Sequence, residues 1–413
     1  MLQFQANGYN VTHDPERING EIVVVNTCGF IGDAQEESIQ MILELEEAKK
    51  NGQIGKLFVM GCLSERFKDE LQKEIPGIDR YYGKFNWKNL LNDIGKIYHT
   101  ELGNDRILTT PAHYAYLKIA EGCNRHCSFC SIPIITGNYK SRPMEDIVSE
   151  VHLLVAKGVK ELQIIAQDLT YYGQELYKRA ALPELVARLS DIPGVEWIRL
   201  HYAYPAHFPF DLLRVIRERE NVCNYLDIAL QHISDRMLRK MRRHISSKET
   251  YELIRFIRQE VPDIHLRTTL MVGHPGETDD DYLALVAFVK EMRFERLGAF
   301  AYSHETGTYS HNHYQDEISN DVKLQRLDTL MRIQKDIAAA HNEKKVGKIL
   351  KTVIDRKEGD YFVGRTAYDS PEIDPEVLIL NSKRLKIGAF YDILIEKTDR
   401  FELYGKAIGL SKK

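Results

Sequence analysis

Residues 121–133 read EGCNRHCSFCSIP, and the C-x3-C-x2-C spacing of Cys123, Cys127 and Cys130 within them directs the reading of the whole chain. Thiolates are soft ligands suited to zinc or to iron–sulfur clusters. A structural zinc site closes around four ligands, and its local C-x2-C pairs ordinarily come in twos. Three cysteines with one unmatched spacing instead leave one iron of a 4Fe–4S cubane without a protein ligand. His126 offers a Cys3His zinc alternative, but as the immediate neighbour of Cys127 it is poorly placed to share that residue's metal. Cys123, Cys127 and Cys130 are therefore the candidate cluster ligands and the candidate catalytic centre.

Working outward, the triplet follows a strand-like run at 115–120 (AYLKIA). Similar runs recur at 161–166 (ELQIIA), 196–201 (EWIRLH), 225–230 (YLDIAL), 265–272 (HLRTTLMV) and 296–302 (RLGAFAY). Helix-like stretches such as 144–157 and 248–260 separate them. Six β/α units in roughly 190 residues predict an α/β fold with a parallel sheet curved into a partial (β/α)6 barrel, two strands short of eight. Chemistry is expected at the carboxyl ends of those strands, and the triplet lies just past the first.

The first hundred residues predict a smaller α/β unit. EIVVVNT (21–27) reads as a strand buried on both faces. A helix is expected from about Asp33 to Lys50, with Ile39, Ile42, Leu43 and Leu45 at helical spacing. A strand at 56–61 (KLFVMG) and a polar helix over 64–73 follow. Each strand ends in a cysteine, Cys28 or Cys62, and ligands bind at the carboxyl ends of strands in open parallel sheets. A long charged helix over 316–345 leads to a terminal segment whose short β-rich runs, from KILKTVID to ELYGKAI, predict a small β-barrel. The expected domains are 1–108, 109–342 and 343–413.

Composition is that of a soluble globular protein, with 43% hydrophobic and 28% charged residues. A net charge of −4 argues against reliance on nonspecific phosphate contacts. No run is long and apolar enough for a membrane span, and the first residues form no signal peptide, so a cytoplasmic protein is expected. In a reducing compartment, clustered cysteines serve as ligands or catalysts more often than as disulfides. Cys223 lacks partner spacing and is expected to pack as a small hydrophobe, and HNH at 311–313 to be a solvated loop.

The open iron gives the triplet its chemistry. The amino and carboxylate groups of S-adenosylmethionine (SAM) can chelate it, and an electron from the cluster then breaks the sulfonium bond to give a carbon radical.

With these residues in place, the chain closely resembles the methylthiotransferases of the radical SAM superfamily, almost end to end. VVVNTCGFIGDAQEESI around Cys28 and FVMGCLSER around Cys62 look like the amino-terminal domain of that family, and the terminal barrel resembles a TRAM domain. LHYAYPAHF (200–208), YLDIALQHISDRMLRKMRR (225–243), LRTTLMVGHPGETDDDY (266–282), RLGAFAYSHETGT (296–308) and GRTAYDSPEID (364–374) look like the branch that modifies an aspartate of ribosomal protein S-12.

The resemblance implies insertion of a methylthio group at the aspartate β-carbon. It implies two 4Fe–4S clusters, one binding SAM and one auxiliary, together with an electron donor and a sulfur source. Ribosomal protein S-12, free or in the small ribosomal subunit, would be the partner. Cys28 and Cys62 match the second and third auxiliary ligands; the first has no counterpart, so either the chain is truncated at its start, which is the expectation, or it binds its auxiliary cluster defectively. Phe129 matches the aromatic that lies against the adenine, an ordinary packed aromatic being its alternative. Gly273, Gly276 and Glu277 are expected to shape the loop over SAM, although glycines near a strand end are common turn residues. Gln167 and Asp168 are SAM or substrate contacts, or equally a helix cap. Ala229 and His274 depart from the family pattern without removing a cluster ligand.

Two other readings stand beside this one. A tRNA adenosine methylthiotransferase would share the chemistry, and a noncatalytic iron–sulfur or zinc protein would bind RNA or ribosomes through its barrel. Residues 347–413 carry 13 Lys/Arg and 11 Asp/Glu, and Asp369, Glu372, Asp374 and Glu376 crowd one loop. A barrel gripping tRNA should be markedly basic, whereas an acidic loop suits a basic ribosomal protein.

Overall fold

The computed structural model describes residues 1–15, 18–380 and 385–411, which form two compact units. The first comprises Met1–Thr109, Glu121–Tyr139 and Ser303–Tyr314; the second comprises Thr110–Ala120, Lys140–Tyr302 and Gln315–Lys413.

In the first unit, β1 (Gly20–Thr27), β2 (Ile54–Gly61) and β3 (Arg80–Tyr81) make a parallel sheet in that order. Helices α1 (Gly32–Lys50) and α2 (Cys62–Glu74) accompany it. The apolar run of β1 does not mark a strand buried on both faces. β1 is an edge strand, its valines half-buried, and the fully buried residues are Leu57 and Val59 of the central β2. Ile42 and Leu45 of α1 join this core, whereas Leu43 points outward.

The second unit is built on a six-stranded parallel sheet: β4 (Tyr114–Lys118), β5 (Glu161–Ile165), β6 (Trp197–Ala203), β7 (Val222–Gln231), β8 (His265–Val272) and β9 (Arg296–Ala301), in sequential spatial order. Each follows an expected run, because consecutive β/α units lay their strands side by side. The connecting helices include α3 (Met144–Ala156), α4 (Leu182–Ser190), α5 (Asp211–Glu218), α6 (Ser247–Glu260) and α7 (Asp279–Met292). Ser246 and Thr278 start α6 and α7 with capping boxes. Helix α8 (Asn320–Glu343) leads to a closed barrel of β10 (Ile349–Glu358), β11 (Tyr361–Thr366), β12 (Val377–Leu380), β13 (Phe390–Thr398) and β14 (Leu403–Leu410). Among the described residues no helix is long and apolar enough to cross a membrane.

The two faces of the six-stranded sheet differ in chemistry. Alternate residues point to opposite faces. Leu117, Leu162, Ile164, Ile198, Leu200, Leu226, Ile228, Leu266 and Leu270 are all fully buried and make one face aliphatic. The other, inner face carries Tyr114 and Tyr116, Glu161 and Gln163, Arg199 and His201, Tyr225 and Asp227, Arg267 and Arg296.

Candidate functional site

In the first unit, parallel register pairs Thr27 with Gly61, so Cys28 and Cys62 leave adjacent strand ends at equivalent positions. Two glycines permit the approach. Gly61 has φ +113°, and a Cβ there would stand 2.5 Å from the Thr27 carbonyl oxygen. A Cβ at Gly29 would stand 2.6 Å from the Leu63 nitrogen. The Ser38 hydroxyl accepts from the Cys28 backbone N–H at 3.0 Å, fixing that turn.

The triplet loop belongs to the same unit. Gly122 (φ +76°) lies so close to Asn138 that a Cβ would meet its carbonyl oxygen at 2.2 Å. The Cys123 N–H donates to the Gly137 carbonyl at 3.2 Å, and the Tyr139 N–H to Asn124 Oδ1 at 3.0 Å. Between them the chain turns through His126 (φ +49°), and the Cys130 N–H closes on the Cys127 carbonyl at 3.1 Å. His126 thus acts as a turn residue with an exposed side chain. Ser131 Oγ donates to the Phe30 carbonyl at 3.2 Å, tying the loop after Cys130 to the loop after Cys28. Glu305 fastens the Cys28 loop, accepting from the Gly32 N–H and from Gln35 Nε2, each at 3.0 Å. Arg66 Nη1 also donates to the Gly29 carbonyl at 3.0 Å.

The donor set suits a cluster. Cys28 is exposed, while Cys62, Cys123, Cys127 and Cys130 are partly exposed. Among the described residues no three His, Cys, Asp or Glu side chains are gathered for a single metal ion. A cubane spreads its thiolates over separate irons and needs no such convergence. Phe129 is half-buried between Ser128 and Cys130. Cys223 is buried beside Trp197, Tyr225, Val353 and Phe390, and burial pushes its thiol up to about 11, as befits a small hydrophobe. Residues 311–313 form a helical turn (Tyr309–His313) rather than a loop, because the Thr308 hydroxyl caps it.

In the second unit, Gln167 and Asp168 follow β5. Asp168 caps a 3-10 turn, accepting from the Thr170 N–H at 2.9 Å and the Thr170 hydroxyl at 2.6 Å. Gln167 Oε1 is buried and accepts no hydrogen bond from the described residues. Gly273 (φ +74°) and Gly276 (φ +82°) make the turn after β8, with Lys323 and Lys240 against them. Glu277 fixes that turn: Oε2 accepts from the Gly273 N–H at 2.7 Å and Oε1 from Arg326 at 2.8 Å. Burial nevertheless pushes its carboxyl up to about 7. His274 is buried edge-on against Tyr302, 5.1 Å between centroids, and burial lowers it to about 4, so it serves as an uncharged aromatic.

Sequence reasoning overlooked the polar inner face and misjudged the acidic loop. Asp369 and Asp374 are buried: Asp369 pairs with Arg296 at 2.5 Å and Asp374 with Arg267 at 2.6 Å. Glu372 accepts from Tyr114 at 2.9 Å, and Glu376 is paired with Arg356 at 2.5 Å. The loop is acidic because it neutralises arginines of its own unit, so its charge does not argue for a basic substrate. At the centre Glu161 accepts from Arg365 at 2.8 Å and Arg199 at 3.1 Å, all three fully buried. The period-2 polar residues in the strand runs 161–165, 197–201 and 225–228 are the signal that would have revealed this face.

A six-stranded parallel β/α sheet, with a C-x3-C-x2-C loop after its first strand, defines a radical SAM enzyme. The Radical SAM superfamily model matches residues 117–289, the TRAM domain model 346–408, and the model described as Uncharacterized protein family UPF0004 matches 1–83. The ribosomal protein uS12 methylthiotransferase RimO of Parabacteroides distasonis is 67% identical over 99% of this chain and 94% of its own length. Those of Bacteroides thetaiotaomicron and Christiangramia forsetii are 61% and 50% identical, over 99% and 100% of this chain and 94% and 91% of theirs. The chain belongs to the RimO family of methylthiotransferases. Among solved structures, the radical SAM methyltransferase TsrM of Kitasatospora setae shares the fold, with TM-score 0.52 and 14% identity over 82% of this chain and 68% of that one. The family's cofactors are SAM and a 4Fe–4S cluster.

Proposed function

We propose that this enzyme adds a methylthio group to the β-carbon of an aspartate in ribosomal protein S-12, free or in the small ribosomal subunit, in the cytoplasm. The observation that carries the reading is the gathering of two cysteine groups in one compact unit, Cys28 with Cys62 at adjacent strand ends and the triplet on a loop hydrogen-bonded to theirs. The relatives' names supply the protein substrate.

On this reading Cys123, Cys127 and Cys130 hold the SAM-binding cluster, while Cys28 and Cys62 hold an auxiliary one. When bound, the clusters and SAM supply a carbon radical able to open a C–H bond and a sulfur to fill it. An unactivated C–H bond has no useful acidity, which is why no general base of the chain is asked to do so. The chain's own contribution is position. The strand-end glycines Gly29 and Gly61 and the cross-loop bond from Ser131 hold the thiols in place, and proximity of sulfur to the reacting carbon shortens the search for the transition state. Phe129 of the first unit is a candidate SAM contact, and so, in the second unit, are Gln167, Asp168, Gly273, Gly276 and Glu277, with Asp168 and Glu277 acting through the turns they fix. The domains fall at 1–108, 109–342 and 343–413, and an electron donor and a sulfur source complete the system.

The test offers S-12 and bulk tRNA in parallel to the anaerobically reconstituted chain with SAM, sulfide and a reductant. Mass spectrometry should find a methylthio increment on an S-12 aspartate and none on tRNA. An increment on a tRNA base alone would overturn the substrate and leave the chemistry standing.

A further inference from the structure

The inner face of the six-stranded sheet has a floor. Below it everything is occupied: Glu161, Arg199 and Arg365 are fully buried in mutual contact, and the segment 364–374 closes the amino end of the strands. On the next level β6, β7 and β8 bring His201, Asp227 and Arg267 side by side, the last two directly paired in register. His201 is engaged with Gln163 at 2.7 Å, and burial lowers it to about 3, so it is neutral. Asp227 and Arg267 are less completely used.

Asp227 is 3% exposed, and its Oδ1 has no hydrogen-bond partner among the described residues. A buried unpaired carboxylate oxygen is costly and calls for a missing partner. Arg267 gives Nη1 to Asp374 at 2.6 Å and keeps an 18% exposed side chain. Its Nη2 faces Gly298 of β9, where a Cβ would stand 3.9 Å away. Gly298 has no strained backbone angle, and its side of the floor is partly exposed. The absent side chain leaves room in front of the guanidinium.

We propose that Arg267, through Nη2, and Asp227, through Oδ1, form the subsite that takes the carboxylate of the substrate's aspartate, in the space beside Gly298. This deepens the S-12 reading and rests on it. A guanidinium that retains a free N–H edge matches a carboxylate. Burial raises Asp227 to about 6, against the attraction of Arg267 and the Tyr202 N–H, and a second carboxylate brought beside it raises it further, so that the pair can share one proton. An uncharged side chain of the same shape, asparagine, would present an amide to the guanidinium edge and lose the ion pair.

The experiment compares full-length reconstituted wild type, Arg267→Gln, Arg267→Lys and Gly298→Val on S-12 carrying either the target aspartate or asparagine. Arg267→Gln is expected to lower kcat/KM on the aspartate form by roughly 10- to 100-fold, chiefly through KM, and to narrow the preference for aspartate over asparagine. Arg267→Lys should restore part of it. Gly298→Val fills the space without touching a charge and should raise KM comparably. It decides the matter if Arg267→Gln fails to fold. Wild-type kinetics and an unchanged preference in Gly298→Val would overturn the subsite. Failure of wild type to modify either S-12 form would instead overturn the parent reading, and this one with it.

Discussion

Replacing Glu161 by glutamine tests whether the buried charges hold the terminal barrel to the parallel sheet. Glu161 Oε1 accepts from Arg199 Nη2 and from Arg365 Nη1, each at 3.1 Å, and Oε2 from Arg365 Nη2 at 2.8 Å. Burial alone would raise its carboxyl; the charges of Arg365 and Arg199 overcome that and hold it at about 2, from an ordinary value of 4.5. At 1.36 kcal/mol per pH unit, that difference amounts to roughly 3 kcal/mol favouring the charged folded form. In the variant Arg365 keeps Asp355 at 2.6 Å, but among the described residues Arg199 keeps only the carbonyls of Thr366 and Ala367. Leaving a buried charge uncompensated costs about 3–5 kcal/mol, so the two routes agree. Trp197 offers a local reporter, because its ring packs edge-on against Phe390 of β13 at 4.8 Å. The chain has two tryptophans, so a Trp87→Phe background isolates it. Unfolding followed by Trp197 fluorescence at pH 7.5 should shift down by roughly 6–12 °C in Glu161→Gln. The carboxyl is depressed, so its contribution is complete above pH 4.5 and is lost as pH falls towards 2. The gap between wild type and variant should therefore be full at neutral pH and shrink below pH 4.5. A gap under about 1 kcal/mol at pH 7.5 would refute the reasoning. So would additivity with Arg365→Met, since partners in one network must couple.

Other outcomes follow from the same geometry. Alanine at Cys123, Cys127 or Cys130 should each remove about four irons per reconstituted chain and abolish SAM cleavage, read by iron assay and deoxyadenosine formation, whereas Cys223→Ala should keep both. Asp227→Asn should stabilise the protein at alkaline pH and not at acid pH. Its carboxyl rises from 3.8 to about 6 on folding, so wild type progressively loses roughly 3 kcal/mol as pH climbs through that window. Melting curves at pH 4 and pH 8 will show whether the difference grows in that direction. Gly61→Ala meets both φ +113° and the Thr27 carbonyl at 2.5 Å, backbone that cannot swing aside. It should cost at least about 2 kcal/mol and loosen any iron held by Cys28 and Cys62, measured by melting and by iron retention on gel filtration.

What the sequence made legible was whatever depends on local periodicity. Strand runs of alternating or continuous apolar residues located β4 to β9, and the cysteine spacing located the triplet, because both signals lie within a dozen residues. What it hid depends on which face a side chain turns to and on who meets it there. Asp369 and Asp374 read as a solvated acidic loop because their partners, Arg296 and Arg267, lie about 73 and 107 positions away in sequence. The same blindness concealed Glu161, whose partner Arg365 is 204 positions distant. Yet the clue was present in the strands: ELQII, WIRLH and YLDI place a polar residue at every second position, among aliphatics that would otherwise suggest burial on both faces. In a parallel sheet covered by helices on one side, such residues can only line the other. An inner face lined by three arginines and a carboxylate oxygen unpaired among the described residues is costly to fold, and a hydrophobic filling would serve stability better. Its retention is best explained by what the space above Arg267 has to receive.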